Sequence, residues 1–326
     1  MLCIRNEHTD PYFNLAAEEY LFRHFTSAGC CMLYRNAPSV IVGKHQNTLA
    51  EINRKYVRDL GIRVARRLTG GGTVFHDQGN LNFCIIQNGE EGRLVDFRKY
   101  TEPVLYALKT LGLQANLGSR NEILMHGLKI SGNAEHVYRN RVMHHGTLLF
   151  SSDLRAMAEA LRTNPSKYND KAVKSVRSQV INISGHLPGP MNMEEFTTHI
   201  LNTFLSLYQG ACLYEFTAED LERIRDLAET KYSTWEWIYG YSPSYLMKNK
   251  FLLRDETIRV EMSVSRGVIH EMTLSTLRDQ PLLTDLAAAL QGQQHREEKL
   301  RNIIHPYLSR AGYRDDEVED IIDNLF

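Results

Sequence analysis

Arg66-Arg67-Leu68-Thr69-Gly70-Gly71-Gly72-Thr73-Val74-Phe75-His76-Asp77-Gln78-Gly79-Asn80-Leu81-Asn82-Phe83 is the stretch on which the reading of this chain turns. Three consecutive glycines remove every side chain from a short segment, so bare N–H groups can approach a ligand. Two arginines stand just before them and offer forked donors to a phosphate or carboxylate. Thr73-Val74-Phe75 and Leu81-Asn82-Phe83 are rich in β-forming residues, which predicts a loop carried on sheet. A plain surface turn beside a chance arginine pair fits the same residues, because glycine runs mark turns. Gly-Lys-Ser/Thr does not follow the glycines and no helical pattern begins there, so this is not a P-loop.

Downstream lies a second constellation. Gly127-Leu128-Lys129-Ile130-Ser131-Gly132-Asn133-Ala134 sets one lysine at the mouth of a Ser/Gly/Asn turn, and Arg141-Val142-Met143-His144-His145-Gly146-Thr147-Leu148-Leu149-Phe150 follows. The spacing from Lys129 to His145 suits neighbouring strands joined by a turn, which predicts lysine and histidines in one sheet. By themselves a lysine is usually a solvated charge and paired histidines are usually core.

Outward from these motifs, hydrophobic periodicity predicts strands over 2–5, 31–35 and 40–43 and helices over 13–25 and 53–60. A helix over 97–111 ends at Gly112, and strands follow near 113–116, 123–125, 128–130 and 141–150. Helices are predicted over 153–161, 193–208 and 218–230, the last opened by the capping pattern Thr217-Ala218-Glu219-Asp220. Gly240-Tyr241-Ser242-Pro243-Ser244 reads as a linker. Beyond it, alternating Ile258, Val260, Met262 and Val264 predict a strand, Arg266-Gly267 a turn, and three helices close the chain. The expected fold class is α+β: a catalytic domain over 1–244, with mixed or antiparallel sheets packed by helices, and a small α+β accessory or lid domain over 245–326.

Composition limits the function. A length of 326 residues suggests two units. Lys and Arg number 38 against 39 Asp and Glu, a balance that argues against a general nucleic-acid binder. No apolar run is long enough to span a bilayer, so no membrane role is expected. Met1-Leu2-Cys3-Ile4-Arg5-Asn6-Glu7 lacks a signal-peptide layout. Five cysteines without a Cys-x-x-Cys fit reduced thiols, and a cytoplasmic location is expected.

Taken together, the motifs resemble those of the lipoate–protein ligases, in the biotin/lipoate protein ligase superfamily. The matching stretches are Asn36-Ala37-Pro38-Ser39-Val40-Ile41-Val42-Gly43-Lys44-His45-Gln46-Asn47, the arginine–glycine run, Gly118-Ser119-Arg120-Asn121-Glu122, the Lys129 turn, His144-His145-Gly146-Thr147-Leu148-Leu149 and Ser175-Val176-Arg177-Ser178. They stand in the family's order, with a family-like Trp235-Glu236-Trp237-Ile238-Tyr239-Gly240 beyond. The resemblance implies ATP-dependent activation of lipoate to lipoyl-AMP and transfer to a lysine of an apo lipoyl domain, on a 2-oxoacid dehydrogenase E2 subunit or the glycine-cleavage H protein. It implies Lys129 as the catalytic cation. It places Arg67, Gly72, Thr73, Val74, Phe75, Asn121 and Lys129 at the nucleotide. Lipoate falls to Gly43, Thr69, Gly70, Gly71, Gly72, Lys129, His145 and Gly146, with Val42 and Val74 as further apolar walls. ATP and Mg²⁺ are the implied cofactors, with Glu122 as a metal ligand where many members carry Asp. His76 and Asp77 are read as supporting or structural. Two alternatives stay open: an octanoyl- or lipoyl-transferase using a preformed donor, and a non-catalytic lipoate-binding protein. A cysteine-dependent transferase needs a thiol near the His-Gly strand, and none lies between Cys84 and Cys212.

Overall fold

A computed structural model of the chain describes residues 1–89, 94–276 and 281–326. The chain forms two compact units. The first comprises Met1–Lys44, Ile62–Glu159 and Ser175–Thr234; the second comprises His45–Gly61, Ala160–Lys174 and Trp235–Phe326. The second unit thus begins before the 240–244 segment and draws in two earlier stretches of chain.

The first unit is built on a six-stranded mixed sheet and two three-stranded sheets. Its strands are β1 (Leu2–Asn6), β2 (Cys30–Tyr34), β3 (Ser39–Val42), β4 (Arg63–Arg66), β5 (Val74–His76), β6 (Asn80–Asn88), β7 (Ala115–Leu117), β8 (Ile123–Met125), β9 (Leu128–Ser131), β10 (Asn133–Tyr138) and β11 (Arg141–Leu149). The short β12 (Tyr168–Asp170) belongs to the second unit, and β13 (Cys212–Leu213) closes the six-stranded order β10-β11-β6-β2-β1-β13. β4-β3-β5 and β7-β8-β9 form the smaller sheets. Both paired faces of the large sheet are used. Cys31, Leu33, Leu81, Phe83, Ile85, Val142 and Leu148 face a core filled by Tyr100, Val104 and Leu108 of helix Phe97–Thr110 and Phe196, Ile200 and Phe204 of helix Met193–Leu207.

Local chemistry explains the helix ends. Asp10 accepts the Tyr12 N–H at 2.8 Å ahead of Pro11, so the first helix runs Pro11–His24, two residues earlier than periodicity suggests. Asn192 and Glu195 form a reciprocal capping box before Met193. Thr217 and Asp220 form the second box, and Asp220 also accepts the hydroxyls of Tyr20 and Tyr214, each at 2.6 Å.

In the second unit β12, β14 (Tyr245–Leu253), β15 (Glu256–Ser265) and β16 (Val268–Ser275) make an antiparallel sheet. Its apolar face packs with helices Pro281–Leu290, Glu297–Arg310 and Asp315–Asn324. Arg266 and Gly267, with φ of 50° and 72°, turn β15 into β16. A Cβ at Gly267 would lie 2.3 Å from the Trp235 ring, so glycine is needed there for space as well as conformation. Among the described residues no helix is long and apolar enough to cross a membrane.

Candidate active site

Arg66 and Arg67 leave β4 buried. Arg66 Nη1 donates to the carbonyls of Gly43 and Lys44, each at 3.0 Å. Arg67 Nη1 donates to the Ile41 carbonyl at 3.1 Å and Nε to Thr69 Oγ1 at 2.9 Å. Its Nη2 donates to the carbonyls of Gly70 and Gly72 at 2.6 and 2.7 Å. Most of this fork is thus hydrogen-bonded to the glycine loop. A tight buried turn must satisfy its inward carbonyls, and one planar guanidinium reaches several at once. Burial lowers the Arg67 pKa to about 10, against the opposing charges of Glu18 and Tyr34, so the side chain stays cationic at neutral pH.

The consequence for the loop is directional. With the Gly70 and Gly72 carbonyls drawn onto Arg67, the N–H groups of Gly70, Gly71 and Gly72 make no hydrogen bond among the described residues. Gly71 has φ of 85°, and a Cβ there would lie 3.0 Å from Arg67 Nη2. Gly72 is closed by Ser175, whose Oγ would be 3.2 Å from an added Cβ, whereas Gly70 faces open space.

Lys129 lies on β9, pinned on both sides: its N–H donates to the Gln179 carbonyl at 2.9 Å and its carbonyl accepts the Ile181 N–H at 3.1 Å. The spacing had suggested one sheet for the lysine and the histidines; they lie in two, because the strand of Lys129 ends before Gly132 and Asn133 begins β10 in the six-stranded sheet. The half-buried ammonium curls over Gly132, where a Cβ would sit 3.0 Å from Nζ. Nζ has no hydrogen bond or ion pair among the described residues. Burial pushes its pKa down, Glu122 opposes this, and Arg120 and Arg67 push the same way as burial. The ammonium is therefore held chiefly against the cost of burial, with Glu122 as its largest compensating charge.

The other motifs gather here. A Cβ at Gly71 would touch Ala134 at 3.8 Å, so the glycine loop lies against the strand that follows Lys129. Ser175 Oγ accepts the Thr73 N–H at 2.8 Å, and Arg120 Nη2 donates to Ser178 Oγ at 3.3 Å. Residues 175–181 thereby link the glycine loop, the Arg120 turn and Lys129.

From the other face of the large sheet, His145 reaches the loop. Its Nδ1 lies 2.8 Å from Glu18 Oε2 and its Nε2 2.8 Å from Thr69 Oγ1. Glu18 also accepts the Tyr34 hydroxyl at 3.0 Å. A carboxylate on Nδ1 fixes the Nδ1–H tautomer, which leaves Nε2 to accept the Thr69 hydroxyl. Cys84 stands opposite His145 in the β6–β11 ladder, but it is buried, and burial followed by Glu18 pushes its pKa well up. That thiol is not a nucleophile.

The family model for the lipoyl protein ligase A/B catalytic domain matches residues 10–205. The chain is 40% identical over 304 residues to lipoate–protein ligase 1 of Staphylococcus aureus, covering 93% of this chain and 92% of that protein. It belongs to the lipoyl protein ligase A/B catalytic domain family. A crystal structure of lipoate-protein ligase A bound with ATP superposes with a TM-score of 0.63 at 26% identity, covering 74% of this chain and 98% of that one. A bipartite lipoate protein ligase from Thermoplasma acidophilum, studied with its E2 lipoyl domain, gives a TM-score of 0.63 at 25% identity, over 74% of this chain and 96% of its own. The protein is an enzyme of the ligase type.

Within this ligase family frame, the remaining expected residues fall into place unevenly. Thr73 presents its N–H to Ser175. Val74 is half-buried, while the Phe75 side chain is buried and its backbone pairs with Val40. Gly43 holds Arg66 through its carbonyl. Gly146 makes room for Asn133, whose Oδ1 would lie 2.2 Å from an added Cβ. Asn121 has φ of 63° and gives its carbonyl to Asn133 Nδ2 at 2.8 Å. His76 is buried and held neutral, its pKa lowered to about 3 by burial and then by Arg67 and His145. Asp77 accepts the N–H groups of Gly79 and Asp153 at 2.9 and 2.7 Å, a structural use.

Glu122 is engaged by its own turn. Its Oε2 accepts the Arg120 N–H at 2.7 Å, and no group of three or more His, Cys, Asp or Glu able to hold a metal occurs among the described residues. Magnesium usually keeps several waters and binds through one or two carboxylates plus substrate phosphates. The residues present do not fit a protein-made Mg²⁺ cage.

Sequence reasoning missed Glu18 and Asn133. Glu18 had one available signal: two adjacent acids amid the apolar run 15–22 of a helix, where a buried ionised carboxylate stays only with partners.

Proposed function

We propose that this protein activates lipoate with ATP and transfers the lipoyl group to a lysine of an apo lipoyl domain. The observation that carries this reading is the combination of glycine-loop N–H groups left without partners and a half-buried Lys129 ammonium with no hydrogen bond or ion pair among the described residues. Two anions, a carboxylate and a triphosphate, need that arrangement before they can react. A lipoate carboxylate oxygen attacks the α-phosphorus, the bond to the β-phosphate oxygen breaks, and pyrophosphate leaves with that electron pair. Lys129 bridges the acyl oxygen and the α-phosphate and stabilises charge as it accumulates. In the second half-reaction the acceptor amine, deprotonated, attacks the acyl carbon. The carbon–oxygen bond to AMP breaks and an amide forms, with Lys129 polarising the carbonyl.

Glu18 and His145 hold Thr69, and Arg67 holds the loop carbonyls, so the loop is set before the ligand arrives. Preorganised donors act without reorganisation cost during the reaction. Magnesium is assigned no residue here and would enter with ATP. The second unit carries none of these groups and is assigned an accessory role. The acceptor is an E2 lipoyl domain or the glycine-cleavage H protein. The buried thiols Cys3, Cys30, Cys31 and Cys84, all free, suit a reducing cytoplasm.

The test is incubation with ATP, Mg²⁺, lipoate and each apo acceptor, read by intact-protein mass. One lipoyl adduct on the acceptor lysine, dependent on ATP, is expected. A folded acceptor that gains no mass, with no pyrophosphate released, would refute the reading.

A further inference from the structure

We infer that Asn133 is a positioning residue for the Lys129 site, and that Glu135 and His144 share one proton in order to hold it. Asn133 opens β10 directly after Gly132. Its Nδ2 donates to the Asn121 carbonyl at 2.8 Å, and its Oδ1 faces His144 Nε2 at 3.3 Å and the Ser131 hydroxyl at 3.5 Å. One amide thus joins the Asn121 turn, the end of the Lys129 strand and β11. The neighbouring backbone is locked as well. Thr147 Oγ1 accepts the Gly132 N–H and the Thr147 N–H donates to the Gly132 carbonyl, each at 3.1 Å. Gly146 is glycine because any Cβ would collide with Asn133 Oδ1 and with the Phe83 ring.

The direction of the amide has a protonic consequence. A carbonyl only accepts, so Asn121 obliges Asn133 to present Nδ2 to it and Oδ1 to His144. Oδ1 also only accepts, so His144 Nε2 must carry a proton. On its other side, His144 Nδ1 lies 2.9 Å from Glu135 Oε1, its cross-strand partner. Either the ring holds both protons beside a carboxylate, or the carboxyl donates to a bare Nδ1. In both cases the pair holds one proton more than a neutral Nδ1–H ring beside a carboxylate would. His145 next door shows the opposite arrangement, with Nδ1–H to Glu18 and a bare Nε2. Glu135 Oε2 is buried and has no hydrogen-bond partner among the described residues.

His144 itself is fully enclosed. Phe83 and Tyr100 stack on it at 5.9 and 5.5 Å, and Phe97 meets it edge-on at 5.5 Å. The titratable groups facing it are Glu135 on β10, Tyr100 on helix Phe97–Thr110 and the adjacent His145 on its own strand. Water has no ready way to replace the Nε2–H donor. The proton therefore belongs to the latch that keeps Lys129 and the Asn121 turn in register.

The inference rests on the ligase reading only for its activity assay. Its first test is independent of that assay: long-range ¹H–¹⁵N spectra of histidine-labelled protein at neutral pH. A protonated Nε2 on His144, retained in Glu135→Gln, is expected, since a glutamine amide can donate to Nδ1. A bare Nε2 on His144 in the parent protein overturns the shared proton. Asn133→Ala should lower lipoate-dependent pyrophosphate release about 100-fold in kcat, the scale expected when reacting groups are misplaced by about 1 Å. Glu135→Gln should stay within a few-fold of the parent. Should Asn133→Ala fail to fold, Asn133→Asp keeps the shape and removes the donor to Asn121, and the same loss is expected. A folded Asn133 variant that turns over at the parental rate overturns the positioning role.

Discussion

Arg67→Lys separates two roles for one residue. The guanidinium serves four acceptors, the Ile41, Gly70 and Gly72 carbonyls and Thr69 Oγ1. An ammonium on a single stem reaches one or two of these. Hydrogen bonds to a charged group contribute about 1.5–3 kcal/mol each, and the Gly70 side of the loop is open enough for water to repair part of the loss. A net loss of roughly 3 kcal/mol is expected, which for a chain of 326 residues lowers the melting temperature by about 4 °C. Scanning calorimetry gives that shift, and pyrophosphate release at saturating lipoate and ATP should fall with it, because the glycine N–H groups lose their orientation. If charge on the phosphate were the whole role, Arg67→Lys would melt at the parental temperature and show only a raised KM for ATP. That result would refute a loop-holding role for Arg67 and leave phosphate recognition as its whole function.

Two further outcomes follow from the same geometry. Gly71→Ala should destabilise the loop by about 1–2 kcal/mol and depress activation, since φ is 85° and the methyl would press on Arg67; Gly70→Ala should fold like the parent. Equal melting temperatures for the two variants would contradict this difference. His76 and His295 are held neutral by burial, with pKa values lowered to about 3 and about 4. The unfolded chain, with ordinary histidines near pH 6.5, takes up protons that the folded chain refuses, so stability is full above that pH and is lost as pH falls toward 4. A melting temperature constant between pH 7 and pH 4, or a His295→Gln variant with unchanged acid sensitivity, would argue against it.

The site was legible in sequence where one short segment carries its own meaning. The Gly70–72 run, Lys129 and the His-His-Gly strand announce themselves through residue type and order, and family resemblance joined them. What escaped were roles set across the fold. Nothing near Arg67 in sequence announces that its guanidinium also meets the Ile41 carbonyl, on a neighbouring strand. Glu18 lies 127 residues from His145, and nothing local announces their contact. Lys129 and His145 seemed to share a sheet because periodicity does not show that Gly132 ends one strand and Asn133 begins another. Segment His45–Gly61 is likewise tied to a distant stretch by single bonds such as Thr48 Oγ1 to the Ile238 carbonyl at 2.6 Å. Hydrophobic pattern fixes elements and faces; hydrogen bonds between distant segments fix the site.

The central claim is that the Lys129 ammonium activates the acyl group, and Lys129→Met tests it most directly. Methionine keeps the apolar stem, and the Lys129 backbone remains bonded to Gln179 and Ile181, so the fold should be retained. The measurement is lipoate-dependent pyrophosphate release under saturating ATP, alongside a thermal melt of the same sample. The account predicts a parental melt with release reduced about 100- to 1000-fold, the cost of removing one preorganised electrostatic donor. A folded Lys129→Met protein that releases pyrophosphate at the parental rate would contradict it.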